Sequence, residues 1–198
     1  METLWLIARQ PEGQRAALQK LYTIYEGERN LPELYKVAKR YWEVYPKDPI
    51  AMNNVASLGL LLGQDADRAS KLAAEVYSQK PTVSAFAATY AFSLMRAHEP
   101  QKALKVLEKL PSAAMAEPSI GLCYGLVLTA TGQRDAGKSY LETALSSGRL
   151  FPEKQALAHN ALADWTSHSL GVTCSLPSLW DWNWTADASA TPHRQMAQ

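Results

Sequence analysis

Apolar positions along this chain fall into helical stripes, and the stripes come in pairs. Leu18, Leu21, Tyr22 and Tyr25 make one face of a helix, Glu26-Gly27 breaks it, and Asn30 stands where it can cap the next. That next stripe carries Leu34, Ala38, Tyr41, Trp42 and Tyr45. From Asp48 to Pro81 the pattern returns as Asp-Pro, an apolar helix through Asn53-Asn54-Val55-Ala56, and a Gly63-Gln64-Asp65 turn. A second helix around Ala69, Ala73 and Val76 follows, ending before Pro81. The chain reads as all-α.

The pairs recur in register. From Ala69 the small residue of the second helix recurs at Ala103 and Ala136, steps of 34 and 33 residues. The first-helix pair Val55-Ala56 recurs as Tyr90-Ala91 and Tyr124-Gly125. With the turn glycine Gly63 and the closing Pro81, these marks resemble the tetratricopeptide repeat (TPR), a helical hairpin of about 34 residues. The resemblance implies a right-handed TPR-like superhelical solenoid of about four repeats, over residues 11–47, 48–81, 82–116 and 117–148. Helix axes about 8–10 Å apart demand little side chain on one side of the contact. Ala56, Ala91 and Gly125 would supply it from the first helices, and Ala69, Ala103 and Ala136 from the second. His98 stands where the third turn would have Gly.

At either end the pattern changes. Met1 to Arg9 reads as a short helix stopped by Pro11, either an N-terminal cap or the second helix of a repeat lying upstream. Pro152 opens a capping helix over residues 152–169, with Leu157, Ala161, Leu162 and Trp165 inward, so that residues 1–169 form one repeat domain. Residues 170–198 are rich in Ser, Thr, Pro and Ala and read as a mostly disordered tail. Within that tail, Trp180, Trp182 and Trp184 alternate, and an extended segment would put all three indoles on one face. Such aromatic density suggests docking into a groove or onto another copy of the chain.

Composition narrows the function classes. With 20 basic and 19 acidic residues the net charge is +1, which offers no general attraction to nucleic acid or anionic membrane. Lys36, Lys39 and Arg40 sit among Glu33 and Glu43 and read as a solvated face. The longest apolar stretch, Ile120 to Ala130, is far short of the ~20 residues that span a bilayer. Two cysteines, Cys123 and Cys174, share no short motif and suit free thiols in a reducing compartment, so a cytoplasmic location is expected. His98, His159, His168 and His193 show no metal-ligand spacing, and no phosphate loop or nucleophile elbow occurs. Neither a cofactor nor an enzymatic role is expected.

What remains is a surface. By resemblance, the first helices would line a concave groove for a partner peptide. Its positions would be Ile50, Asn53, Ser57 and Leu60, then Ala85, Ala88, Phe92 and Met95, and Ser119, Leu122, Leu126 and Thr129 from the fourth repeat. The set is apolar and neutral, suited to a helix or hydrophobic peptide and lacking the basic residues that clamp a C-terminal carboxylate. The expected function is a protein-interaction scaffold. The alternative is an accessory module of a larger multidomain enzyme or envelope protein.

Overall fold

The structure, a computed structural model, describes residues 1–169, with side chains through residue 163. Among the described residues it is all-helical, with no strand. A short α1 (Glu2–Ile7) precedes four helical pairs. These are α2 (Gln14–Gly27) with α3 (Leu31–Val44), α4 (Pro49–Leu62) with α5 (Ala66–Gln79), α6 (Ser84–Arg96) with α7 (Pro100–Leu107), and α8 (Pro118–Ala130) with α9 (Arg134–Ser146). A 3-10 segment, Ser112–Ala116, follows α7, and α10 (Pro152–Ser169) closes the described chain. Each helix packs on the next, and α4, α6, α8 and α10 also pack in a row.

The turns within the pairs share one backbone device. Arg29, Gly63, His98 and Gly132 are left-handed, with φ of 54°, 67°, 60° and 90°. After each, the following N–H donates to a carbonyl five residues back: Asn30 to Tyr25, Gln64 to Gly59, Glu99 to Leu94 and Gln133 to Leu128, all at 2.9 Å. This bond satisfies a carbonyl that the ending helix would otherwise leave orphaned. The left-handed positions step by 34, 35 and 34 residues. Two of them are not glycine, and Gly27, the apparent breaker, stays inside α2 while Arg29 makes the turn. Arg29 gains from its place there, since its guanidinium donates to the carbonyls of Gly148 and Leu150 beyond α9.

Helix starts follow the local chemistry. Asn30 accepts from the Glu33 N–H at 3.3 Å, and Asp48 accepts from Ile50 and Ala51. Pro49, Pro100, Pro118 and Pro152 all open helices, where a missing N–H costs nothing. The α8 cap is Glu117, whose longer side chain reaches the Ile120 N–H at 2.9 Å. After α7, which is only eight residues long, Pro111 cannot continue the helix and the 3-10 segment carries the chain to α8.

The small residues lie in the seams, with one correction. Ala56, Ala91, Ala69 and Ala103 are buried. Gly125 backs onto α9, where an added Cβ would come within 3.0 Å of the Gly137 carbonyl oxygen and of Leu141. Ala136, expected to complete the second-helix series, is exposed, and Gly137 holds the seam instead. A Cβ on Gly137 would lie 2.8 Å from the Gly125 carbonyl oxygen and 2.9 Å from the Thr129 nitrogen, so only glycine permits this approach. The true series is Ala69, Ala103 and Gly137, at a constant step of 34. Larger rings fill the space around it. Tyr77 stacks on Tyr90 at 4.9 Å between centroids, and Tyr124 meets Tyr140 edge-on at 5.0 Å.

Three substitutions read this register directly. Gly137→Ala should lower stability by about 1–3 kcal/mol, because overpacking against backbone outweighs the helix propensity gained. Ala136→Glu, one position away and exposed, should stay within about 0.5 kcal/mol of the parent. Gly63→Ala meets no neighbour closer than 3.9 Å, so its cost of about 1–2 kcal/mol is purely conformational. Urea denaturation of the three variants checks the order; a destabilised Ala136→Glu beside an unaffected Gly137→Ala would reverse the register.

Candidate binding cavity

Six helices line one open cavity of about 400 Å³. From α4 it takes Asn53, Asn54, Ser57, Leu58 and Leu61, and from α6 it takes Ala85, Ala88, Thr89 and Phe92. Ser119, Ile120, Leu122, Cys123 and Leu126 of α8 form the next wall, with the cap Glu117 at its edge. Phe151, Lys154 and Leu157, at and just before the start of α10, face them, and Tyr22, Glu26 and Leu34 of the first pair complete the lining. These contributions follow helical spacing: positions one turn apart project from one face, so each helix presents a single stripe.

The expected groove residues divide accordingly. Asn53, Ser57, Ala85, Ala88, Phe92, Ser119, Leu122 and Leu126 all line the cavity. Ile50, Leu60 and Met95 do not. Leu60 and Met95 are 0% and 2% exposed, packed between helices, whereas Ile50 is 62% exposed at the start of α4. On α4 the lining keeps the expected Asn53 and Ser57 and extends to the adjacent row Asn54, Leu58 and Leu61, which takes the place of Leu60. Thr129 is likewise spent, its hydroxyl donating to the Gly125 carbonyl at 2.9 Å. Trp180, Trp182 and Trp184 lie outside the described residues, as does the side chain of Trp165.

Walls contributed by α2 and α10 were not part of the expected groove. They come together because the chain ends of the four pairs meet. Besides the Arg29 bonds to Gly148 and Leu150, Phe151 packs against the core formed by the first two pairs. Lys154 was visible in the sequence only as a hydrophilic residue on a terminal helix.

Polar groups punctuate an otherwise apolar lining. Asn53 is 8% exposed and its Oδ1 is buried with no hydrogen-bond partner among the described residues. Lys154 has its pKa lowered from the ordinary lysine value, chiefly by burial in the wall and against the opposing influence of Glu117 and Cys123. Burial pushes the Cys123 thiol up to about 12, with the nearby Lys154 acting the other way, and its S–H donates to the Ala88 carbonyl at 3.5 Å. It is a packed thiol, not a nucleophile. Tyr22 is also pushed up to about 12, by burial first and then by Glu26.

No protein-family model matches the chain, and no curated protein matches it either. No helix among the described residues is long and apolar enough to cross a membrane.

Alkaline unfolding should report these buried acids. Because Cys123 and Tyr22 hold their protons more tightly when folded, the folded state carries the excess protons between about pH 9 and 12. The stability they confer is whole below pH 9 and drains away as pH rises through that window. Lys154 acts in the opposite sense, its burial penalty easing as the pH climbs from its lowered pKa toward 10.5. Cys123→Ser keeps a donor for the Ala88 carbonyl but cannot ionise, so its urea midpoint should fall less steeply with pH than the parent's. An unchanged slope would show that Cys123 ionises freely in the folded protein.

Proposed function

We propose that the helical pairs form a right-handed TPR-like superhelical solenoid whose concave face binds an apolar segment of a protein partner, with no chemistry of its own. The observation that carries this reading is the cavity itself: the alternate helices α2, α4, α6, α8 and α10, with Leu34 of α3, all line one open space. The constant spacing of the left-handed turns, at 34, 35 and 34 residues, supports a repeating unit. The row of α4, α6, α8 and α10 supports stacking of pairs on a shared inner layer.

Cavity size limits what enters. One turn of α-helix, about 10 Å wide and 5.4 Å long, displaces roughly 400 Å³. The space of about 400 Å³ therefore accepts a few apolar side chains of a partner rather than the length of a helix. Phe92, Leu122 and Leu126 would contact those side chains, while Asn53 and Ser57 offer hydrogen bonds to the segment's backbone.

Selection from a random peptide library displayed on phage tests the proposal. Recovered peptides should share apolar residues and bind the chain in solution. Ala88→Arg and Ser57→Arg, which fill the cavity from partly exposed positions, should weaken them by about tenfold or more with little change in melting temperature. Failure to select any peptide, or equal binding by both variants, would remove the groove from consideration.

A further inference from the structure

The cavity has a feature that a groove for apolar side chains does not require. Its lining carries charges of both signs: half-buried Lys154 on one wall, and Glu117 and Glu26, which reach it from exposed positions. Lys154 and Glu117 sense each other electrostatically, yet among the described residues they make no ion pair. Glu117 spends one oxygen, Oε2, on the Ile120 N–H. Its other oxygen is not needed by that cap. Lys154, desolvated among apolar walls, is the charge that gains most from a partner, and the exposed glutamates leave carboxylates at the same cavity. On the same lining, the buried Asn53 carboxamide also lacks a partner for Oδ1 among the described residues.

A ligand of one charge answers only half of this arrangement. An apolar monoanion, such as a fatty acid, would satisfy Lys154 and be repelled by Glu26 and Glu117. An apolar amine would do the reverse. A zwitterion that carries its ammonium and its carboxylate on one carbon atom meets both, and Asn53 adds a hydrogen-bonding group to the same lining. A volume of about 400 Å³, at the low end of small-molecule sites, suits a whole ligand of about ten to fifteen heavy atoms, head group included. Leu58, Phe92, Leu122 and Leu157 would surround the part beyond the head group with hydrocarbon.

We propose that the cavity binds a free α-amino acid with a large apolar side chain, its carboxylate on Lys154, its ammonium on Glu117 and its side chain among these residues. This goes beyond the peptide-binding reading and does not depend on it. The head group it invokes is that of a free amino acid, which an internal peptide segment lacks. Binding would be non-covalent, with no bond made or broken.

Isothermal titration calorimetry on the full chain at neutral pH tests the assignment with four probes. L-phenylalanine should bind. N-acetyl-L-phenylalanine, which loses the positive charge, and L-phenylalaninamide, which loses the negative one, should each bind about tenfold more weakly or worse. L-alanine, with the same head and no apolar body, should also be weak. Lys154→Met should abolish the preference for L-phenylalanine over its amide while keeping the preference over the N-acetyl form, and Glu117→Gln should do the opposite. The derivative series uses the unaltered chain, so it decides even if a variant fails to fold. Absence of binding by L-phenylalanine and L-leucine at millimolar concentration overturns the proposal, as does equal affinity for the parent and both blocked forms. Neither result bears on peptides selected from a library.

Discussion

A chain can reverse between two packed helices in a few residues only by leaving the right-handed region at one of them. The protein does this four times with the same bond, from the residue after the left-handed position to the carbonyl five earlier. That bond ends the first helix at a fixed phase, which decides which of its faces meets the second. Everything inward follows from the phase. Gly59 comes against Ala69 and Tyr35, and Gly125 against Gly137 and Leu141, because each reversal delivers the next helix at the same height. The bond tolerates Arg29 and His98 where glycine would be less strained, so the turn is held by its hydrogen bond and by the seam behind it rather than by residue type alone.

Once the pairs are in phase, polar groups have little choice of place. The outer helices carry ion pairs in water, such as Arg40 with Glu43 at 3.2 Å and Lys102 with Glu99 at 2.7 Å, and these contribute little to stability. The inner helices carry almost none. Two polar side chains that face inward, buried Asn53 and half-buried Lys154, are therefore conspicuous, since burying them forfeits hydration that hydrophobic side chains of similar size would not need. Sites built for ligands bear such costs in advance, and structural seams avoid them.

Periodicity made much of this legible before any coordinates. Helix limits, the proline starts, the Asn30 cap and the burial of Ala56, Ala91 and Ala103 all follow from local rules. Errors came where a local preference competed with a longer-range contact. Alanine is the better helix former, which favoured Ala136, but the α8–α9 approach needs the bare backbone of Gly137. Gly27 looks like a stop, yet Arg29 turns the chain because its side chain finds carbonyls about 120 residues away. The cavity was half readable for the same reason. Stripes on α4, α6 and α8 are periodic, whereas Phe151 and Lys154 share a cavity with Tyr22 and Glu26 only through packing between segments far apart in the chain.

That contact between Arg29 and the segment at Gly148 and Leu150 ties the beginning of the array to its end. Stacked hairpins left open can gain or lose a unit by duplication or deletion, because each touches only its neighbours. Here the count is locked. Insert one more pair anywhere between residues 30 and 147, and the two segments are pushed apart, and Phe151 and Lys154 withdraw from Tyr22 and Glu26 across the cavity. An added helical pair would therefore cost this chain the contact between its first pair and the segment after α9.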